Sequence, residues 1–215
     1  MRPGGTSQQH LTEALSVESM TDLLRRCDRK SETRGAASSV FWTLGGKQVG
    51  KAAIIGWRKV LAPALADGDV DVAVWPFDGN LHDLVTQHRV TLAETYPAEA
   101  CLHLGMTPPG SRWSKTSQEG RQSQAPHLLD WTRRRSVELT PELCAQIESG
   151  FGPSRDAEDP FDALVGLLSM LEVVMGHRPD GAPDDPSVRK LEGWILGQIV
   201  ASPEQFAFDD DATVR

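Results

Sequence analysis

Acidic residues in two distant segments are the strongest candidates for chemistry in this sequence. Glu94 ends the segment 89–94 (RVTLAE), which has the β-branched residues of a strand, and open α/β sheets place ligands at such strand ends. Asp159 and Asp162 open a predicted helix and are three residues apart, so both can share one face. Carboxylate oxygens are the ligands that Mg²⁺ or Mn²⁺ prefers, and metals held this way activate water for phosphodiester cleavage. Taken singly, each acid could equally be a solvated strand end or an ordinary partner of the helix dipole.

A polar loop supplies groups of the opposite kind. Residues 105–120 contain prolines and glycines and are predicted to form a long loop, a feature that is often functional inside a domain. Ser114, Lys115 and Arg121 bring hydroxyl and cationic donors, which hold phosphate oxygens well. A solvated loop without a ligand is the alternative interpretation.

A glycine-rich segment suggests a nucleotide site but lacks one of its essential residues. Gly45, Gly50 and Lys51 satisfy the G-x-x-x-x-G-K pattern of a phosphate-binding loop. Such a loop follows its lysine with Ser or Thr, whose hydroxyl binds magnesium, whereas Ala52 follows here. The segment is therefore interpreted first as a glycine turn before a helix, and nucleotide binding is a third alternative for function.

Composition limits the possible partners and compartments. The chain of 215 residues has 22 Lys and Arg against 30 Asp and Glu, a formal net charge of −8, which argues against a broad basic surface for long nucleic acid. No apolar run approaches the roughly 20 residues that span a bilayer, and no secretory signal is recognisable, so no membrane partner is expected. The three cysteines, Cys27, Cys101 and Cys144, are widely separated and fit a reducing compartment. We expect a cytoplasmic protein.

The elements that must position these residues follow from periodicity. Two predicted strands with a helix between them indicate a parallel crossover unit, and hence an α/β fold with helices around a sheet. The predicted strands are 40–44, 70–76 and 89–94, and the predicted helices are 11–30, 51–65, 121–134, 140–149, 160–176 and 186–200, with a helix between the second and third strands.

Three segments together resemble a known family. They are AETYPAEA (93–100), WSKTSQEGR (113–121) and EDPFDALVGL (158–167). The family is a bacterial and archaeal group of unknown function, described as predicted nucleases with a ribonuclease H-like fold. Its pattern is a strand ending in Glu before an aromatic residue and Pro, then a Ser-Lys pair with a following Gly and Arg, then an Asp-x-x-Asp-Ala helix start. The match covers roughly residues 70–200.

The resemblance implies metal-dependent hydrolysis of nucleic acid on a ribonuclease H-like sheet. It assigns Glu94, Asp159 and Asp162 as catalytic residues and as ligands of Mg²⁺ or Mn²⁺, with Ser114, Lys115 and Arg121 on the substrate side. The sequence departs from the family pattern in having Ala98 where Glu often follows the proline.

A second departure concerns the start of the fold. The family's first β-hairpin bears a further catalytic Asp, and no such strand is recognisable before residue 40, so this chain resembles a shortened member with an incomplete core. We expect an N-terminal helix and loop at 1–39, the incomplete ribonuclease H-like domain at 40–200 and an acidic tail at 201–215. The alternative to a nuclease is a non-catalytic interaction module, or a subunit completed by a partner strand at an open sheet edge or by a second copy.

Overall fold

The computed structural model describes residues 7–31, 34–40, 42–43, 49–87, 90–106 and 112–199. These residues form a mixed α/β structure in which helices predominate. The helices are α1 (Gln8–Leu15), α2 (Val49–Gly56), α3 (Ala62–Asp67), α4 (Leu81–Gln87), α5 (Pro97–His103), α6 (Gln118–Gln122), α7 (Ala125–Arg134), α8 (Pro141–Glu148) and α9 (Glu158–Val174). The strands are β1 (Val72–Val74) and β2 (Val90–Leu92). Among these described residues, no helix is long and apolar enough to cross a membrane.

A small parallel sheet forms as the crossover pattern predicts. β1 and β2 pair in parallel with Val72 opposite Val90, and α4 makes the connection between them. A third extended segment pairs with the chain just after β2, where Ile195 bridges Glu94 in parallel and the Leu196 N–H donates to the Glu94 carbonyl at 2.9 Å. The backbone that follows β2 is therefore paired with residues 195 and 196, close to the end of the described chain. The α/β class is confirmed, whereas the incomplete ribonuclease H-like core stays a prediction.

Several predicted elements differ from the structure. The predicted helix 11–30 is α1 followed by two short 3₁₀ turns, Met20–Leu23 and Arg26–Asp28, because Ser16 adopts a left-handed conformation that ends α1. The predicted helix 186–200 is a π-helical turn, Val188–Glu192, which Gly193 ends at a φ of 74° before the extended segment around Ile195. Of the predicted strand 40–44, the described residues 40, 42 and 43 are not in a strand, and Phe41 and Leu44 lie outside the described residues, as does Gly45.

Helix α9 lies between two hydrophobic clusters. One cluster joins α5, α7 and α8 to the Phe161–Leu168 part of α9, and the other joins β1 and the Trp194–Leu196 segment to Val173 near the end of α9. Polar side chains on this helix are therefore enclosed as well. Glu172 is buried and accepts hydrogen bonds from the Trp131 indole at 2.5 Å and from Arg135 Nε at 2.7 Å. Burial alone would raise the pKa of Glu172, but Arg135 and Trp131 hold that pKa below its ordinary value.

We predict that Glu172→Gln removes an acid-sensitive part of the stability. A carboxylate with a lowered pKa in the folded state stabilises the fold above its unfolded pKa, and that contribution is lost as the pH falls through the lowered value. We expect the variant to be about 1–3 kcal/mol less stable at neutral pH, with the difference shrinking below about pH 4. Urea unfolding across this pH range measures it. Glu148→Gln, an exposed change on α8, is the control, and a pH-independent difference for Glu172→Gln would contradict the assignment.

Candidate functional site

Three segments that are distant in sequence meet at the N-terminal half of α9, which is itself one of the three. The residues after β2 reach it through Thr95, whose hydroxyl oxygen lies 3.0 Å from the position of a Cβ added to Gly166. The polar loop reaches it through Lys115, whose ammonium group pairs with the carboxylate of Asp162. Helix α5, which Pro97 begins at the end of the first segment, packs along α9. The structure thus brings together the segments that carry all the predicted site residues.

The pair of Lys115 and Asp162 lies at the surface of this junction. The side chain of Lys115 is 32% exposed and that of Asp162 is 22% exposed. Burial raises the pKa of Asp162 and Lys115 lowers it, while Glu158 and Asp159 act in the same direction as burial, so the net pKa is above that of an ordinary aspartate. The pKa of the Cys101 thiol of α5 is raised to about 12, mainly by burial. The charges of Asp162 and Lys115 also act on this thiol, in opposite directions. Cys101 is therefore an inert packing group and not a nucleophile.

Arg121 fixes the loop that carries Lys115. Its guanidinium is buried and donates to three backbone carbonyls, those of Gly150 at 2.8 Å, Lys115 at 2.6 Å and Gly152 at 2.8 Å. The structure thus gives Arg121 a positioning role in which its donors face the protein. Ser114 is exposed, and its hydroxyl lies 2.8 Å from that of Thr116. Ser114 and Lys115 are consequently the predicted phosphate contacts that reach solvent.

A glycine completes the support of this loop. A Cβ on Gly120 would lie 2.1 Å from the carbonyl oxygen of Ser114, far inside any real contact, so a side chain at this position would displace the Ser114–Lys115 backbone. Ser117 is the N-cap of α6, and its hydroxyl accepts a hydrogen bond from the Gly120 N–H at 3.1 Å. The Gly-Arg pair that follows the Ser-Lys pair in the sequence thus acts through backbone geometry.

Glu94 is engaged by an arginine from the N-terminal segment. Arg25 binds the Glu94 carboxylate with both terminal nitrogens, at 2.6 and 2.7 Å, and it also binds Asp28 at 2.8 and 2.9 Å. Burial lowers the pKa of the Arg25 guanidinium, but Glu94 and Asp28 outweigh it and hold the pKa above its ordinary value. The spacing of residues 11–30 suggested only a helix, so sequence analysis missed Arg25; no local pattern marks it, because its partner is 69 residues away.

The remaining predicted acid, Asp159, is exposed at the start of α9. Its neighbour Glu158 has one buried carboxylate oxygen without a hydrogen-bond partner. Within the described ranges, no group of three or more His, Cys, Asp or Glu side chains is arranged to hold a metal ion. Asp159 and Asp162 lie in the first part of α9, whereas the Glu94 carboxylate binds Arg25, which also binds Asp28 and the Glu192 carbonyl. Glu94 and Asp162 are thus separate carboxylates with different basic partners.

A second polar group lies deeper between α5 and α9, and sequence analysis missed it. Glu99 is buried, accepts from Arg34 Nε at 2.7 Å and lies 3.7 Å from His103 Nε2. His103 Nδ1 in turn lies 2.6 Å from the Ser169 hydroxyl. Burial would raise the pKa of Glu99, but His103 and Arg34 lower it to below the ordinary value. Because these groups are buried, they join α5 to α9 and do not form a reaction site.

Comparison with known proteins adds no relative. No protein-family model matches the chain, and neither the curated proteins nor the solved structures give a significant match.

We predict that Lys115→Met makes Asp162 harder to ionise. Loss of the ammonium group removes the main influence that lowers the pKa of Asp162, so that pKa should rise further above its ordinary value. The variant should be about 1–2 kcal/mol less stable at neutral pH, with recovery as the pH falls through the raised pKa, because the folded state then binds more protons than the unfolded state.

The measurement is urea unfolding in a double-mutant cycle with Asp162→Asn, combined with NMR titration of the Asp162 carboxyl. In the Asp162→Asn background the lysine substitution should have little effect. Equal losses in both backgrounds would contradict a direct interaction between the two side chains.

Proposed function

We propose that this chain is a nuclease-like protein that binds nucleic acid and cleaves phosphodiester bonds with the help of Mg²⁺ or Mn²⁺. The single observation that supports the proposal is the convergence of the segments 93–100 and 113–121 on the N-terminal half of α9, with Lys115 on Asp162 and Thr95 against Gly166. Lys115 and Asp162 are 47 residues apart, so their contact is a property of the fold and not of local sequence. This convergence is what the resemblance requires of its motifs.

The side chains of the loop have the chemistry to bind a phosphate. Ser114 offers an exposed hydroxyl, and Lys115 offers a partly exposed cation whose present partner is a carboxylate. A phosphate oxygen could take the place of that carboxylate, since charge-assisted bonds to either anion are similar in kind. Arg121 would contribute indirectly. It donates to the Lys115 carbonyl and so fixes the backbone position from which the lysine side chain extends.

The acidic residues do not fit a bound metal in the arrangement that the structure shows. Arg25 covers the carboxylate oxygens of Glu94, and Lys115 covers one oxygen of Asp162. A divalent ion would supply water activation and charge neutralisation in a phosphodiester cleavage. Because these ligands are not assembled, the dependence on Mg²⁺ or Mn²⁺ is part of the proposal.

We predict cleavage of single-stranded or branched DNA in the presence of Mn²⁺, with a loss of about 100-fold in Asp162→Asn, which corresponds to about 2.7 kcal/mol in the activation barrier. The control is Asp184→Asn, which neutralises a fully exposed carboxylate remote in sequence from the three segments. Gel assays at matched protein concentration measure both variants. Equal cleavage by the wild type and Asp162→Asn would remove Asp162 from the proposal.

The second candidate function is a non-catalytic interaction module, and the bidentate bond from Arg25 to Glu94 favours it. A carboxylate held in this way has a structural partner already and needs no metal. The edge of β1 that faces away from β2 is a poor docking site for a further strand, because Asp78 already takes the backbone groups of Val74. The Val74 N–H donates to the Asp78 carboxylate at 2.7 Å, and the Asp78 N–H donates to the Val74 carbonyl at 3.0 Å. A module of this kind would use another surface.

Thermal unfolding with and without Mn²⁺ separates the two functions. An ion bound only by the folded protein raises the melting temperature, and we expect this rise in the wild type and a reduced rise in Asp162→Asn. A wild-type protein with no shift and no cleavage would support the interaction module. If Glu94→Gln keeps the full shift while Asp162→Asn loses it, the metal binds without Glu94.

A further inference from the structure

One helical segment has an apolar surface that the described residues leave exposed. Residues 49–67 form α2, a π-helical turn at Trp57–Leu61 and α3 as one continuous helix. Among the described elements, extensive packing of this helix is seen only between its own successive parts. The large apolar side chains that it exposes are Val49, Ile54, Ile55, Trp57, Val60 and Leu65. A helix that is apolar over most of its circumference is normally covered, so this surface indicates a binding partner.

The charge on this helix indicates what kind of partner fits. Lys51, Arg58 and Lys59 are its basic residues, and its sole acid, Asp67, is the last residue of α3. The chain as a whole has a net charge of −8, so the helix is basic and apolar on a protein that is otherwise acidic. The surface that complements it is apolar with acidic residues beside it. An anionic bilayer is a poor match, because the rest of the chain would be repelled from it.

Helix α9 provides a surface of that kind. Its outer face exposes Ala163, Leu167 and Val174, with partly buried Leu171 between them, at a spacing of four, four and three residues. Two exposed acids lie at one end of this face. Asp159 is in the first turn of α9, and Asp156 is the middle residue of the 3₁₀ turn Arg155–Ala157 that precedes it. The same chain thus carries a basic apolar helix and an acidic apolar helix face, both exposed.

We propose that two copies of this chain associate through reciprocal packing of helix 49–67 of each copy against the outer face of α9 of the other. Pairing helix 49–67 with its own copy is disfavoured, because Arg58 and Lys59 lie near the helix centre and would meet their counterparts across a two-fold axis. A single helix pairing is small beside a stable interface of roughly 1,600 Å², and the two-fold arrangement supplies the contact twice.

Light scattering coupled to size-exclusion chromatography tests the assembly with three exposed substitutions. Val60→Glu changes the centre of helix 49–67, where Val60 is 62% exposed, and Leu167→Glu changes the α9 face, where Leu167 is 51% exposed. Leu191→Glu is the matched control, at an apolar residue that is 79% exposed and outside both faces. We expect the mass of a dimer for the wild type and Leu191→Glu, and the mass of a monomer for Val60→Glu and Leu167→Glu. Circular dichroism checks that all four remain folded.

Mixing the two monomeric variants tests reciprocity. A mixed dimer of Val60→Glu with Leu167→Glu keeps one intact contact, so mixing should restore part of the dimer, whereas neither variant alone should dimerise. A monomeric wild type at high protein concentration would overturn the proposal. Loss of the dimer in Val60→Glu with a persistent dimer in Leu167→Glu would also overturn it, since that result indicates a partner surface other than α9.

Discussion

The need to satisfy polar groups on a helix between two hydrophobic clusters governs the arrangement of this protein. Helix α9 carries Asp162, Ser169 and Glu172 among its buried or half-buried residues, and each polar group needs a partner where water is scarce. The partners come from three different elements: Lys115 from the loop, His103 from α5, and Trp131 and Arg135 from α7 and the residue that follows it. These interactions fix where α5, α7 and the loop lie around α9, which apolar packing alone would specify less tightly.

The close approach of the β2 end to α9 depends on a residue without a side chain. Gly166 lies one turn after Asp162, and the Thr95 hydroxyl oxygen lies only 3.0 Å from the position that a Cβ would take, so a side chain there would press on Thr95. The same contact brings the end of the sheet against the helix that carries Asp162, although the carboxylates of Glu94 and Asp162 each have their own basic partner. Packing and candidate chemistry are linked here, because a bulkier residue at 166 would separate the two acidic segments.

Patterns within the sequence predicted the local elements but not the long-range ionic contacts. The crossover unit, the helix that Asp159 and Asp162 open and the helix in 51–65 follow from periodicity, and all of them are present. The last predicted helix failed because Gly193 ends the turn at Glu192 and Ile195 then pairs with the sheet, a tertiary interaction that overrides an apolar helical pattern. Arg25 on Glu94 and Arg34 on Glu99 join residues 69 and 65 positions apart, so no local spacing could reveal them.

The two basic partners, Arg25 and Lys115, differ in how easily a ligand of the proposed kind could displace them. Moving Arg25 away from Glu94 would also disturb Asp28, whose side chain is only 2% exposed, and leaving a buried carboxylate without its partner costs about 3–5 kcal/mol. The side chain of Lys115 is flexible and 32% exposed, and it pairs with one carboxylate, that of Asp162. Its release from Asp162 is therefore less costly than the release of Arg25 from Glu94. Asp162 is also the acid whose pKa is raised, because burial and the nearby Glu158 and Asp159 disfavour its charged form. A ligand would therefore meet the Lys115–Asp162 pair first, and engagement of Glu94 would require the N-terminal segment to rearrange.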